Sequence, residues 1–299
     1  MAIIYEHIAL NKRKTALLLG VFLILVIALG FVFSQAYGNP GILYGAVIFS
    51  VLYSLISYYF SSNITLALSR ARAIDRQAAP DLYQLVENLS IAAGLPAPKI
   101  YLIDDTALNA FATGRNPEKA VIVFTTGILQ KLNKTELEGV AAHELSHVGN
   151  YDIRLMTLVV VLVGILTLLA DFFLRFSFLG GRRSRDSGGP QAAFLILGIV
   201  LALLSPIIAT LIQLAISRRR EYLADSSGAL LTRYPEGLAS ALEKISRDTE
   251  PLEAANKATA HLYIANPLRN NRGGIGWFAG LFNTHPPIEE RIKRLREMA

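Results

Sequence analysis

The 299-residue sequence contains no cysteine. A disulfide framework, a nucleophilic thiol and a thiolate metal site are therefore excluded, and any metal ion must be bound by histidine and carboxylate side chains. The sequence also lacks the G-x-x-x-x-G-K-[ST] motif, so it encodes no P-loop for a nucleotide. We expect any activity of this chain to be independent of ATP.

Charged residues are also scarce. They make up 17% of the chain, whereas hydrophobic residues make up 53%. A typical soluble domain carries about 25% charged residues, so the composition favours a membrane protein. The net charge of +6 could suggest nucleic-acid binding. However, the basic residues flank apolar segments, which is typical of membrane proteins, and we expect no nucleic-acid partner.

Four long hydrophobic segments predict membrane helices. They are residues 15–33, 42–60, 155–170 and 192–216. The first two are uncharged and long enough, at about 1.5 Å per residue, to cross a bilayer core of about 30 Å. The third is slightly short, and Pro206 predicts a kink in the fourth. Basic residues precede the first segment and follow the second, so the positive-inside rule places both flanks in the cytoplasm.

The segments divide the chain into four parts. Residues 1–60 form a transmembrane hairpin, 61–152 a first soluble part, 153–216 a second transmembrane hairpin, and 217–299 a second soluble part. In the first soluble part, apolar spacing predicts a helix starting near Pro80. Short β-rich runs at 99–103, 109–113 and 120–124 predict a small sheet, most simply of three strands. The capping-box pattern from Thr135 to Glu138 predicts that the next helix begins near Thr135.

That helix contains a metal-binding pattern. His143, Glu144 and His147 fit H-E-x-x-H, and four residues of helix place both imidazoles on one face, where they can bind one zinc ion. Glu144 is then placed to take a proton from the attacking water. The alternative is an amphipathic helix with two accidental histidines. The apolar neighbours predict that Glu144 is partly desolvated.

A catalytic zinc site needs a third protein ligand. Glu221 and Asp225 lie four residues apart on one predicted helical face. This spacing suits one carboxylate as a ligand and a second that orients an imidazole. The alternative is an ordinary charged surface face beside the preceding arginines.

Four motifs together resemble those of the HtpX-type membrane zinc metalloproteases, relatives of the CAAX prenyl proteases. They are H-E-L-S-H at 143–147, R-R-E-Y-L-A-D at 219–225, N-A-F-A-T-G at 109–114 and T-H-P-P at 284–287. The resemblance implies one zinc ion per chain on His143, His147 and Glu221, with Glu144 as general base. It also implies Asp225 as an outer partner of the site, and His285 with Arg291 as polar groups that face the substrate.

Two of these motifs also suggest how a peptide is bound. The stretch with Asn109, Ala110 and Phe111 has the character of an edge strand, which can pair with an extended peptide. The alternative is a plain hairpin strand. His285 lies on a proline-rich turn where it could donate to a developing oxyanion, although a loop histidine is more often merely solvated. The basic C-terminal helix, which contains Arg291, is most simply a solvated or lipid-facing surface.

The sequence therefore predicts a predominantly α membrane protein. We expect four transmembrane helices and a cytoplasmic α+β zincin (thermolysin-like) catalytic domain with a small β-sheet. His147 precedes the third hydrophobic segment and Glu221 follows the fourth, so both segments cross the membrane or neither does. We expect both to cross, although this places the arginines at 182–185 outside the cytoplasm.

The predicted function is a zinc endopeptidase of a prokaryotic plasma membrane. The resemblance to quality-control proteases implies polypeptide substrates, in particular unfolded, misfolded or damaged membrane proteins. No nucleotide is expected as a partner. The alternative is a non-catalytic zinc-binding membrane scaffold or chaperone.

Overall fold

The computed structural model describes residues 2–165, 218–255, 259–265, 267 and 286–298. Over these residues the protein is mostly helical, with one small mixed sheet, as the sequence predicts. The rest of the third hydrophobic segment beyond residue 165, the whole fourth segment, the arginine-containing loop and His285 lie outside the described residues.

Two long antiparallel helices begin the chain. Helix α1 spans Ala2–Tyr37 and α2 spans Gly41–Leu68, and both are apolar and long enough to cross a membrane. They contain the two N-terminal segments predicted as membrane helices, but each extends beyond the uncharged segment. Gly30 lets them approach closely, because a Cβ atom there would lie 2.2 Å from the Cβ of Ala46.

A four-stranded sheet follows, with strands β1 at Arg72–Ala73, β2 at Lys99–Ile103, β3 at Ala110–Thr113 and β4 at Val121–Thr125. The strand order is β1-β2-β4-β3, so β3 is an edge strand. The prediction of three strands was wrong. Strand β1 contains only two residues, which is too short for an alternating pattern of apolar and polar residues to indicate a strand. Helix α3, at Pro80–Ala93, begins at the predicted proline.

Helix α5 carries the H-E-x-x-H pattern and follows the short helix α4 at Thr126–Lys131. It spans Lys134–Gly149 and is capped by Asn133 and Glu136, which exchange hydrogen bonds of 2.9 and 2.8 Å. The helix thus begins near Thr135, as predicted, but the capping box is formed by Asn133 and Glu136 and not by Thr135 and Glu138. The stretch contains two overlapping patterns, one from Asn133 to Glu136 and one from Thr135 to Glu138, and the helix is capped by the first.

A sharp bend ends α5. Helix α6, described over Asp152–Ile165, leaves at 84° to α5. The bend passes through Tyr151, which has a φ of 59°, a left-handed conformation that is uncommon for a residue other than glycine. As a result, the first residue of α6 returns toward the end of α5.

Three helices complete the described fold: α7 at Arg218–Thr232, α8 at Pro235–Arg247 and α9 at Ile288–Arg296. Helix α5 lies in the main hydrophobic core against α3, α7 and α8. Helix α7 approaches it closely at Gly228, where a Cβ atom would lie 3.0 Å from the backbone nitrogen of His143. This contact brings the E-x-x-x-D motif of α7 beside the histidines of α5.

Candidate metal centre

His143, His147 and Glu221 lie together in the interior. Their nearest side-chain donor atoms all lie within 4.8 Å of one another. The two histidine Nε2 atoms are 3.2 Å apart, and the Glu221 carboxylate oxygens lie 3.9 Å from His143 Nε2 and 3.6 Å from His147 Nε2. Ligands about 2.0–2.1 Å from a tetrahedral zinc ion lie about 3.3 Å from one another. The three side chains therefore fit a zinc ion with little adjustment.

The outer nitrogen of each imidazole contacts a carboxylate. His143 Nδ1 lies 3.0 Å from Asp225 Oδ1, and His147 Nδ1 lies 3.0 Å from Asp152 Oδ2. A proton on each Nδ1 completes a hydrogen bond from His147 to Asp152, places an N–H of His143 beside the Asp225 carboxylate, and leaves both Nε2 lone pairs directed into the site. Two such lone pairs 3.2 Å apart repel each other unless a cation lies between them. The donor set thus favours a metal ion.

Asp152 is a site residue that the sequence analysis missed. It lies only five residues after His147, but the intervening turn breaks the helical register. Helical spacing therefore gave no signal for it, whereas Asp225 shares a helix with Glu221 and was found.

Glu144 lies beside the histidines on α5 and is 2% exposed, which confirms the predicted desolvated environment. Burial raises the pKa of its carboxyl to about 7. The neighbouring His147 and a hydrogen bond from the backbone of Ala112 act in the opposite direction. A carboxyl group in such an environment is suited to exchange protons near neutral pH.

The electrostatic environment favours a positive charge between the ligands. Burial by itself lowers the pKa of His147, but the hydrogen bond to Asp152 and the charge of Glu221 outweigh it and raise the pKa to about 9. A proton and a metal ion bind to the same Nε2 lone pair. The Asp152 and Glu221 carboxylates, which favour the protonated histidine, therefore also favour a bound metal cation.

Arg291 is fully buried behind the site. Its guanidinium donates two hydrogen bonds to Asp225, at 2.9 and 2.7 Å, and one to the backbone oxygen of Ile264, at 2.9 Å. Burial raises the pKa of Asp225, but the Arg291 charge outweighs it and lowers this pKa to about 2. The interpretation of the C-terminal helix as a solvated surface was therefore wrong for Arg291. It holds for Lys293, Arg294 and Arg296, which are exposed. The resemblance implies that Arg291 faces the substrate, but in the structure its donors are used by Asp225 and Ile264.

The edge strand β3 lies beside α5, but part of its outer edge is already paired. The backbone nitrogen of Ile264 donates to the oxygen of Ala110 at 2.9 Å. The Asn109 side chain donates to the oxygen of Ala265 at 3.1 Å. Phe111 is completely buried against the ring of Tyr263, with the ring centroids 5.0 Å apart. The chain's own segment 263–265 thus lies where an extended peptide was expected.

Comparisons with known proteins show a family match and several close relatives for this chain. The family model described as peptidase family M48 matches residues 76–299. A relative named "Protease HtpX homolog" from Dictyoglomus turgidum is 48% identical over 297 residues, covering 98% of this chain and 94% of the relative. Another of the same name from Tropheryma whipplei, strain Twist, is 45% identical over 294 residues and covers 98% of both chains.

A solved structure of S. mikatae Ste24p is also similar. It aligns with 96% of this chain at 19% sequence identity and a TM-score of 0.49, and this chain spans 66% of its length, just under two thirds.

The family model covers most of the chain, including both ligand-bearing helices, and the relatives are similar over almost their full length. This chain accordingly belongs to peptidase family M48, a family of metallopeptidases.

Proposed function

We propose that this protein is an ATP-independent zinc endopeptidase of the membrane. The observation that carries the proposal is the meeting of His143, His147 and Glu221, with donor atoms within 4.8 Å, beside the buried Glu144. The proposed zinc ligands are these three side chains, with one zinc ion per chain. When bound there, zinc polarises a peptide carbonyl and lowers the pKa of a water molecule.

The chain's own residues supply the proton transfers. The Glu144 carboxylate accepts a proton from the water whose oxygen forms a bond to the peptide carbonyl carbon. It then gives that proton to the departing nitrogen as the carbon–nitrogen bond breaks. Asp225 and Asp152 hold the histidine rings in orientation, and Arg291 acts through Asp225. We propose that His285 donates to the developing oxyanion.

The proposed peptide site is the edge of β3. An extended substrate would pair with the backbone of β3 and with the Asn109 side chain, and it would contact Ala110 and Phe111. Since Ile264 and Ala265 now use the Ala110 oxygen and the Asn109 amide, this segment has to move aside before a substrate can use them.

We propose that the substrates are misfolded or damaged proteins, including membrane proteins, and that the protein serves quality control under stress. The two apolar helices support a location in the membrane. Basic residues on one side of this hairpin support a catalytic site that faces the cytoplasm of a prokaryotic plasma membrane.

The variant Glu144→Gln distinguishes the proposed enzyme from the alternative, a non-catalytic zinc-binding scaffold or chaperone. This change preserves the shape of the side chain and the three ligands but removes the proton acceptor. We expect zinc content to stay at one per chain and cleavage of casein to fall about 10²–10⁴-fold. Glu138→Gln, on the same helix, is the matched control and should cleave normally. Cleavage by the Glu144 variant at the wild-type rate would refute the proposed mechanism, and a lack of cleavage by both wild type and variant would favour the scaffold.

A further inference from the structure

Asn11 is a buried polar residue on the first membrane helix. Its side chain is 2% exposed and contacts the turn that follows α5. Its Nδ2 donates to Asp152 Oδ1 at 2.7 Å and to the backbone oxygen of Asn150 at 3.1 Å. Its Oδ1 accepts a hydrogen bond from the Arg220 guanidinium at 3.3 Å. One amide thus links α1, the start of α6 and the start of α7.

The chemistry of these partners fixes the orientation of the amide. Both groups on the nitrogen side are acceptors, and the group on the oxygen side is a guanidinium, which can only donate. Exchanging the nitrogen and oxygen would place acceptor against acceptor and donor against donor. Neither aspartate nor leucine at this position could satisfy both sides.

Asn11 lies two hydrogen bonds from a proposed zinc ligand. Asp152 accepts from Asn11 with one carboxylate oxygen and from His147 Nδ1, at 3.0 Å, with the other. Arg220 immediately precedes Glu221 in the chain, and its Nε lies 3.8 Å from Asp152 Oδ1. The Asn11 amide therefore contacts the residue that orients one ligand and the neighbour of another.

A second contact joins α1 to the same turn. The Lys12 ammonium lies over the ring of Tyr151, 5.2 Å from its centroid. Tyr151 is the residue with the left-handed backbone conformation that returns Asp152 toward His147. Helix α1 therefore packs on the turn that sets the position of Asp152.

We propose that Asn11 is a positioning residue for the metal centre. It holds the Asp152 carboxylate so that one oxygen remains directed at His147 Nδ1, and it also holds Arg220 at the start of α7. The first membrane helix is then a structural part of the metal centre as well as an anchor. This inference rests on the zinc ligands proposed above.

The test measures zinc affinity by competition with a chelator on the full-length protein in lipid nanodiscs. All variants carry Glu144→Gln so that no hydrolysis complicates the measurement. Outer partners of zinc-bound histidine typically change metal affinity by about 10–100-fold. We expect Asn11→Ala to lower zinc affinity about tenfold. The matched control is Thr15→Val, one turn further along α1, where the buried hydroxyl donates to the backbone oxygen of Asn11 at 2.8 Å. Its zinc affinity should be unchanged.

A double-mutant cycle distinguishes positioning from general stabilisation. If Asn11 acts through Asp152, Asn11→Ala should cost less than twofold in zinc affinity once Asp152→Ala is present. If Asn11→Ala does not fold, Asn11→Gln replaces it in the cycle, since it keeps both polar groups but displaces them. Equal zinc affinities of the Asn11 and Thr15 variants would overturn the inference, as would an undiminished Asn11 effect beside Asp152→Ala.

The same assay separates this inference from the proposed function. His147→Ala should abolish zinc binding at this site. If it does so while the Asn11 variant binds like the control, only the role of Asn11 fails. If His147→Ala still binds zinc with wild-type affinity, the proposed ligand set fails, and the positioning role fails with it.

Discussion

In the candidate metal centre, two carboxylates outside the proposed ligand set contact the histidine rings. Asp225 contacts His143 and is itself held by two hydrogen bonds from Arg291. Asp152 contacts His147 in the same way. All these groups are buried, so each charge depends on its partner for compensation.

Asp225→Ala therefore tests whether ring orientation contributes to metal binding. We expect zinc affinity to fall about 10–100-fold, because His143 loses the carboxylate beside its outer nitrogen but the three proposed ligands remain. Chelator competition measures this, with the exposed Asp81→Ala as control. A variant with unchanged zinc affinity would show that His143 needs no carboxylate to hold its ring.

At the scale of elements, the position of α5 depends on its N-terminal cap. Glu136 is buried, accepts from the Asn133 backbone and bonds to Ser240 and Lys244 of α8 at 2.7 Å each. Burial raises the pKa of Glu136, but the hydrogen bond from Lys244 and the other contacts outweigh it, and the pKa lies below its ordinary value. The capping residue Glu136 thus connects α5 to α8 by hydrogen bonds.

Glu136→Gln should weaken this connection. A hydrogen bond to a charged group contributes about 1.5–3 kcal/mol, and we expect the free energy of unfolding to fall by about that amount at neutral pH. Because the pKa of Glu136 is lowered by folding, the ionised carboxylate stabilises the folded protein at pH values above the pKa of the unfolded state. This stabilisation disappears as the pH falls through the pKa of the folded state. The difference from wild type, measured by thermal unfolding against pH, should therefore shrink in acid. A difference that grew in acid would contradict the assigned charge state.

The edge of β3 gives a prediction about substrate binding. Under the proposed function, Asn109→Ala removes a hydrogen bond to the peptide, and KM for a casein-derived peptide should rise about tenfold, or about 1.4 kcal/mol. Zinc content should stay at one per chain, since Asn109 contacts none of the ligands. Asn88→Ala, an exposed change on α3, is the control. An unchanged KM would remove Asn109 from the substrate site.

The sequence predicts those parts of the site that lie within single helices. Helical spacing places His143 with His147, and Glu221 with Asp225, on shared helical faces, and the resemblance to the metalloprotease motifs assigned both pairs to one site. Asp152 could not be predicted, because the turn at Tyr151 breaks the register between it and His147. Contacts across long sequence separations, such as Asn11 with Asp152 or Arg291 with Asp225, depend on tertiary packing that no local pattern encodes.

At the scale of the whole molecule, the metal centre constrains the membrane topology. His147 and Glu221 lie 3.6 Å apart, so the chain between them must return to the side of the membrane from which it left. The beginning of α6 packs against α1, with Leu155, Leu158 and Leu162 in one cluster with Leu18 and Phe22. Packing against a candidate membrane helix supports the prediction from the sequence that the third and fourth segments both cross.

Cysteine labelling tests this prediction cleanly, because the native chain has no cysteine. In intact cells, Gln35→Cys and Ser184→Cys should both react with a membrane-impermeant reagent, and Glu118→Cys should be protected. Protection at Ser184 with labelling at Gln35 would mean that the third and fourth segments do not cross. Labelling at Glu118 would place the catalytic site outside the cytoplasm.

The proposed function depends on the binding of one zinc ion by His143, His147 and Glu221. Zinc K-edge X-ray absorption on the full-length Glu144→Gln protein tests it most directly, because it reports the atoms around the metal. We expect one zinc per chain with two imidazole nitrogens at about 2.0–2.1 Å and oxygen ligands at about 2.0–2.2 Å. Adding His147→Ala or Glu221→Ala should abolish this signal. A spectrum without imidazole scattering, or one unchanged by both substitutions, would show that zinc is not bound by these three residues.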